Sequence, residues 1–202
     1  MYLRGGSIVN FKFKSYDKYL VTQREYAQIR KSRTIKNKLR RQWVIDNMRS
    51  HHVKGKTVLC LGARDDSEVQ SFLDNGYDAM GIDLYETKLI TDCDMSRIYE
   101  HPTLKDARFD IVISLESLEH CLDLDGLVRG LRLVCDGYFV CMFPILDEPT
   151  WWDCHRPDFL DCLGTDKYDD ALIASFPGFE IVINETHKDA TRGFFILKKS
   201  IK

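Results

Sequence analysis

Residues 57–83 carry the reading of this chain: Thr57-Val-Leu-Cys-Leu-Gly-Ala-Arg-Asp-Asp-Ser-Glu-Val69, then 70–77, then Asp78-Ala-Met-Gly-Ile-Asp83. Residues 58–61 form a short continuous apolar run that stops at Gly62, as expected of a strand buried on both faces and ending in a ligand loop. Val69, Phe72 and Leu73 then recur at helical spacing, Asn75-Gly76 supplies a helix stop, and 79–82 read as a second strand closing on Asp83. This is one β-α-β unit. Gly62 and Asp83 lie about 20 residues apart, the separation at which an acidic side chain at the second strand's end meets a ribose held over the first loop. A nucleoside-containing ligand is therefore expected.

Charge narrows the choice of nucleoside. A dinucleotide loop needs Gly at its first, third and sixth positions, and here these are Gly62, Arg64 and Ser67. Asp65, Asp66 and Glu68 would also repel a phosphate from the helix N-terminus. S-adenosylmethionine has no phosphate and carries a sulfonium and an ammonium, so an acidic loop suits it.

The run 58–68, with Gly81-Ile-Asp83, Cys93-Asp94-Met95 and Phe109-Asp-Ile-Val-Ile-Ser-Leu-Glu-Ser-Leu-Glu-His120, resembles class I S-adenosylmethionine-dependent methyltransferases, in particular a subgroup with Cys-Leu-Gly-Ala-Arg in its first motif. The likeness covers 57–199. It departs at Cys60, where an acidic residue is usual, and at Arg64 and Asp66, which replace the second and third glycines of that family's loop. The resemblance implies S-adenosylmethionine as cofactor. It implies a cofactor site at Gly62, Ala63, Arg64, Glu68, Asp83, Leu84, Asp94, Met95, Leu115 and Glu116, with Asp94 and Met95 beside the adenine. Asp94 also precedes a helical Met95-Ser-Arg-Ile, so a helix N-cap competes with that role.

The remaining segments complete an α/β fold: a Rossmann-like, seven-stranded, mostly parallel sheet with a C-terminal antiparallel strand pair and an N-terminal basic helical extension. Residues 87–90 lead into Thr91-Asp-Cys-Asp94. Strands are expected at 109–115 and 138–145, a helix at 124–134, and the terminal pair, typical of this family, at 179–184 and 193–198. Two units are expected, a basic helical arm or lid over 1–56 and an S-adenosylmethionine-binding methyltransferase domain over 57–202.

The chain has 202 residues, 44% hydrophobic and 30% charged, enough for a well-packed core. No apolar stretch approaches the ~20 residues of a membrane helix, and residues 1–10 lack the apolar run of a signal peptide, so a cytoplasmic site of action is expected. Seven cysteines without a Cys-x-x-Cys pair point to reduced thiols. Cys60, Cys135 and Cys141 read as core filler.

The net charge of −2 conceals an asymmetry. Residues 1–56 hold fifteen Lys and Arg against Asp17, Glu25 and Asp46, or +12, whereas the rest holds 14 basic and 28 acidic residues, or −14. Helices are expected over 16–29 and 34–48, the second with Ile35, Leu39, Trp43, Val44 and Met48 on one side. Such an arm serves either as a lid or platform for an anionic partner such as RNA or DNA, or as a basic face packed on its own acidic domain. His51-His52 beside it is a weak metal hint.

The segment Pro149-Thr-Trp-Trp-Asp-Cys-His-Arg-Pro-Asp158 follows the fifth strand and is expected to overhang the cofactor. Trp151, Trp152 and Arg156 are the candidates for substrate binding, although adjacent tryptophans also anchor loops. His155, His120 and Glu119 are the candidates for a catalytic base. Cys154, His155 and Cys162 match no standard zinc spacing, and no metal is expected. Ser114-Leu-Glu-Ser replaces the Asp-Pro-Pro-Tyr type of DNA-base amino methyltransferases, and the absence of a Pro-Cys pair removes a covalent attack on a pyrimidine. The expected reaction is methyl transfer to an O or N atom of an acceptor that is a small molecule or a nucleic acid. A non-catalytic binding or scaffold module on the same fold, and an NAD-dependent enzyme, are the rival readings.

Overall fold

The computed structural model describes residues 17, 18, 20, 21, 24, 34–121, 123–144, 175–186 and 192–200. Helix α1 (Thr34–Ser50) precedes strand β1 (Thr57–Leu61), helix α2 (Asp66–Asp74) and strand β2 (Asp78–Asp83). Strand β3 (Ile90–Asp92) follows, then two 3₁₀ turns (Met95–Glu100 and Leu104–Asp106) and strand β4 (Phe109–Leu115). A third 3₁₀ turn (Leu118–His120), helix α3 (Leu124–Val134) and strands β5 (Cys135–Pro144), β6 (Phe179–Thr186) and β7 (Arg192–Lys199) complete the order.

The seven strands form one sheet in the order β3-β2-β1-β4-β5-β7-β6. Pairing is parallel from β3 to β5, whereas β7 runs antiparallel to both β5 and β6. The α/β class, the seven strands and the antiparallel C-terminal pair are as the sequence predicts. Because the parallel strands run one way, their carboxyl ends share one edge, and β7 brings its first residue, Arg192, to that edge by pairing with Pro144.

Strand β1 alternates between two cores. Val58 and Cys60 face α1 and α2, together with Val44, Ile45, Met48, Val69 and Phe72. Leu59 and Leu61 face α3, together with Leu127, Leu131 and Val134. Burial on both faces explains why the run 58–61 has no polar alternation. Cys60, Cys135 and Cys141 are fully buried, as filler should be.

Helix α1 differs from the stripe expected of it. Its buried face runs through Arg41, Val44, Ile45 and Met48, at helical spacing, while Leu39 is 68% exposed. Helical periodicity is retained but the stripe is rotated, because Arg41 takes a core-facing position and donates to Ser71 Oγ and Ser67 Oγ, each at 3.1 Å. Farther upstream, Asp17, Lys18, Leu20, Val21 and Arg24 are helical. Among the described residues no helix is long and apolar enough to cross a membrane.

Candidate functional site at the carboxyl edge

The first loop leaves β1 through Gly62 at φ +62° and Arg64 at φ +40°, two left-handed positions. A Cβ on Gly62 would stand 2.5 Å from Ser117 Cβ and 3.1 Å from Met95 Cε, so glycine is required both by conformation and by close approach. Ala63 N donates to Ile82 O at 3.1 Å, which ties the loop to β2. Gly81 makes room for this contact, since a Cβ there would lie 2.9 Å from Ala63 Cβ.

Each acidic residue of the loop has a distinct environment. Asp65 is the N-cap of α2 and accepts from Ser67 N at 2.9 Å. Asp66 accepts from Thr87 Oγ1 and, at 3.2 Å, from Leu89 N, anchoring the loop between β2 and β3. Ser67 N is already held by Asp65 Oδ1 and Glu68 N by Asp65 O, so two of the amides that would receive a phosphate at this helix N-terminus are engaged by the chain itself. Glu68 is buried, with no hydrogen-bond partner on Oε1 among the described residues. Burial pushes its carboxyl up to about 8, against the opposing charge of Arg41.

Asp83 ends β2 facing this loop. Its Oδ2 accepts from Arg64 N at 2.9 Å and its Oδ1 from Leu84 N at 2.6 Å. Burial raises its pKa in spite of these two amides. Beside it, Asp94 caps the first 3₁₀ turn, its Oδ1 accepting from Ser96 N at 2.8 Å and Ser96 Oγ at 2.7 Å. The capping role is thus realised through one oxygen of the carboxylate.

The β4 end forms the other half of the edge. Ser117 Oγ donates to Leu61 O at 2.8 Å and pairs with Ser114 Oγ at 2.8 Å, holding this turn against β1. Glu116, at φ +59°, directs its carboxylate to Arg192 Nε at 2.6 Å and to Arg40 Nη1 at 3.5 Å. Leu115 is buried behind it. Glu119 is buried too; its Oε2 has no hydrogen-bond partner among the described residues, and its Oε1 lies 4.0 Å from His120 Nε2. Burial, aided by the neighbouring Glu116 charge, pushes Glu119 up to about 8. The Arg64 charge opposes the raised values of Glu68, Asp83 and Glu119 alike.

Of the residues expected here, the structure gathers Gly62, Ala63, Arg64, Asp83, Leu84, Asp94, Met95, Leu115, Glu116, Glu119 and His120 at or beside one edge. Glu68 is buried in the first turn of α2, where the charges of Arg41, Arg64 and Asp83 all act on it. Trp151, Trp152, His155 and Arg156 lie outside the described residues. Ser117, Arg40 and Arg192 are site features that the sequence reading did not single out. Ser117 stands between two expected site residues, Glu116 and Glu119, but nothing in sequence pairs Arg192 with a residue 76 positions earlier. His51, the weak metal hint, lies 3.0 Å from Glu185 Oε1.

No protein-family model and no curated protein matches the chain. Solved structures do match in fold. The 1,6-didemethyltoxoflavin-N1-methyltransferase of Burkholderia thailandensis, with bound 1,6-didemethyltoxoflavin and S-adenosylhomocysteine, aligns at TM-score 0.68 and 16% identity, covering 92% of this chain and 89% of that one. The magnesium protoporphyrin IX methyltransferase of Synechocystis PCC 6803, with bound S-adenosylhomocysteine, aligns at TM-score 0.57 and 13% identity over 91% and 97%. A glycopeptide N-methyltransferase complexed with S-adenosylhomocysteine aligns at 0.56 and 16% over 77% and 88%. This chain therefore shares its fold with these methyltransferase structures.

Proposed function

We propose that the chain is an S-adenosylmethionine-dependent methyltransferase that moves a methyl group to an O or N atom of a small acceptor. The observation that carries this reading is the carboxylate of Asp83, held by Arg64 N and Leu84 N beside a loop whose helix N-terminus has Ser67 N and Glu68 N already engaged by Asp65. That chemistry fits a nucleoside bearing positive charge and disfavours a dinucleotide. Oε2 of Glu119, buried on the same edge with no hydrogen-bond partner among the described residues, is a second polar feature calling for a ligand.

S-adenosylmethionine, when bound, supplies a methyl group on a sulfonium. In this reading Gly62, Ala63 and Arg64 cradle it, Asp83 accepts from its ribose hydroxyls, Asp94 and Met95 flank the base, and Leu115 closes the floor. Glu119 Oε2 takes the proton that the acceptor must lose, a role for which its burial beside the edge suits it better than the more exposed His120. The described part of the basic N-terminal region acts as a cover: Arg24 Nε donates to Leu84 O at 3.0 Å, and Arg40 reaches Glu116. Engagement of Arg24, Arg40, Arg41 and Arg49 by groups of the same chain supports a small acceptor over a nucleic acid.

Calorimetric titration with S-adenosylmethionine, S-adenosylhomocysteine and NAD tests the assignment. The first two bind and NAD does not. Charge-assisted hydrogen bonds are worth about 1.5–3 kcal/mol, so Asp83→Ala weakens S-adenosylmethionine binding about tenfold to a hundredfold while melting as a folded protein. Unchanged affinity in that variant defeats the assignment, and tight binding without turnover on any acceptor would make the chain a non-catalytic binding module.

A further inference from the structure

The departure of β1 at Cys60 has a counterpart on the facing helix. Cys60 stands where the methyltransferases it resembles usually carry an acidic residue, and it is fully buried on the face of β1 that meets α2. Helix α2 starts at the carboxyl edge of the sheet and runs back along it, so its first turn lies level with the last residues of β1. That turn holds Glu68, one of three residues, with Val69 and Phe72, that α2 buries. Among charged groups, Glu68 acts most strongly on the Cys60 thiol. The acid missing from the strand is thus present on the helix opposite.

Packing alone does not account for this carboxyl. Glu68 is 7% exposed, and its Oε1 has no hydrogen-bond partner among the described residues. Arg41 on α1 directs Nε to Ser71 Oγ and Nη2 to Ser67 Oγ, and among the described residues it forms no ion pair with Glu68. The other charges acting on Glu68 come from the first loop and the end of β2: Asp65 and Asp83 disfavour its ionisation and Arg64 favours it. Those are the residues that build the loop, since Asp83 Oδ2 accepts from Arg64 N and Asp65 Oδ1 from Ser67 N, each at 2.9 Å. An apolar side chain at 68 would fill the same space without the cost of burying an acid, and buried titratable groups of this kind concentrate at ligand sites.

We propose that Glu68 binds the ammonium group of the cofactor as a carboxylate, from the place on α2 that faces Cys60. The proposal rests on the methyltransferase reading and deepens it. An ammonium brings three donors and a positive charge, which suit a carboxyl oxygen that has no partner of its own. Burial holds Glu68 up at about 8, so below that pH it carries a proton until the ammonium arrives, and binding releases the proton to solvent. Affinity for the ammonium therefore rises with pH toward about 8.

The experiment is calorimetric titration of the unmodified protein and of Glu68→Gln with three probes, in buffers of differing ionisation enthalpy. S-adenosylhomocysteine carries the ammonium and a carboxylate, S-adenosyl-3-thiopropylamine keeps the ammonium alone, and 5′-methylthioadenosine has neither. With the unmodified protein at about pH 7, each amine should release close to one proton more than 5′-methylthioadenosine, and its affinity should rise close to tenfold per pH unit between about pH 6 and 7.5. Asp83 and Glu119 also have raised values on this edge, but 5′-methylthioadenosine meets them as well, so their share cancels in the difference. Glu68→Gln matches the neutral acid in size. It should bind both amines about tenfold to a hundredfold more weakly, without the extra proton, and keep its affinity for 5′-methylthioadenosine. Equal proton release with all three probes overturns the proposal whether or not the variant folds. So does a Glu68→Gln variant that loses affinity equally for all three, which would make Glu68 a support of the loop, or that loses none. Failure of the unmodified protein to bind S-adenosylhomocysteine and 5′-methylthioadenosine overturns instead the reading on which the proposal rests.

Discussion

A carboxyl group buried without a hydrogen bond on one oxygen costs on the order of 1–3 kcal/mol, and Glu119, in the turn after β4, has no partner on Oε2 among the described residues. Its pKa of about 8 follows from burial first and the Glu116 charge second. A base must be deprotonated to act. If Glu119 accepts the acceptor's proton, turnover rises about tenfold per pH unit below about 8 and levels off above it. Glu119→Gln should then reduce the rate 10²- to 10⁴-fold and abolish that limb, with S-adenosylhomocysteine affinity nearly unchanged. A retained pH limb in this variant, lost instead in His120→Gln, would move the role to His120.

Helix α1 joins the basic N-terminal region to the body through its inner face. Val44, Ile45 and Met48 are completely buried and share a core with β1, β4 and α2, while Arg41 bonds α2 through Ser67 and Ser71. Had α1 been a solvated arm, truncating one of its apolar side chains would change stability by less than about 0.5 kcal/mol. Ile45→Ala is expected instead to cost about 2–5 kcal/mol, a fall in melting temperature of roughly 4–20 °C by calorimetry at this chain length.

The +12 of residues 1–56 and the −14 of the remainder nearly cancel, and the described arginines show part of how: Arg24 meets Leu84 O and Asp92, Arg40 meets Glu116, and Arg49 meets Asn75 O. Cations already held against their own domain release few counterions on meeting a polyanion. Fluorescence anisotropy with RNA and DNA oligonucleotides at about 50 mM salt should therefore show little association. Tight binding that weakens steeply with added salt would favour a nucleic-acid acceptor instead.

Elements whose cause is local could be read before any coordinates. The buried run 58–61, the stop at Asn75-Gly76, the strand 109–115 and the helix 124–134 each reflect burial or capping that neighbouring residues reveal, and the order of elements then limits the sheet to few topologies. Gly62 and Asp83 were legible for the same reason, being placed by one β-α-β unit. The acidic loop reads in sequence as a charge that selects a cation, yet Asp65 and Asp66 hold backbone and hydroxyl groups, because a side chain's partner across a turn is not written in its own neighbourhood. Leu39 leaves the stripe expected of it on α1 and Arg41 joins the buried face, since apolar periodicity cannot see that Ser67 and Ser71 offer a buried guanidinium its acceptors. The Arg40–Glu116–Arg192 cluster lies at the far end of that dependence. Three residues from 40 to 192 meet only because an antiparallel last strand turns its first residue back to the edge where the parallel strands end.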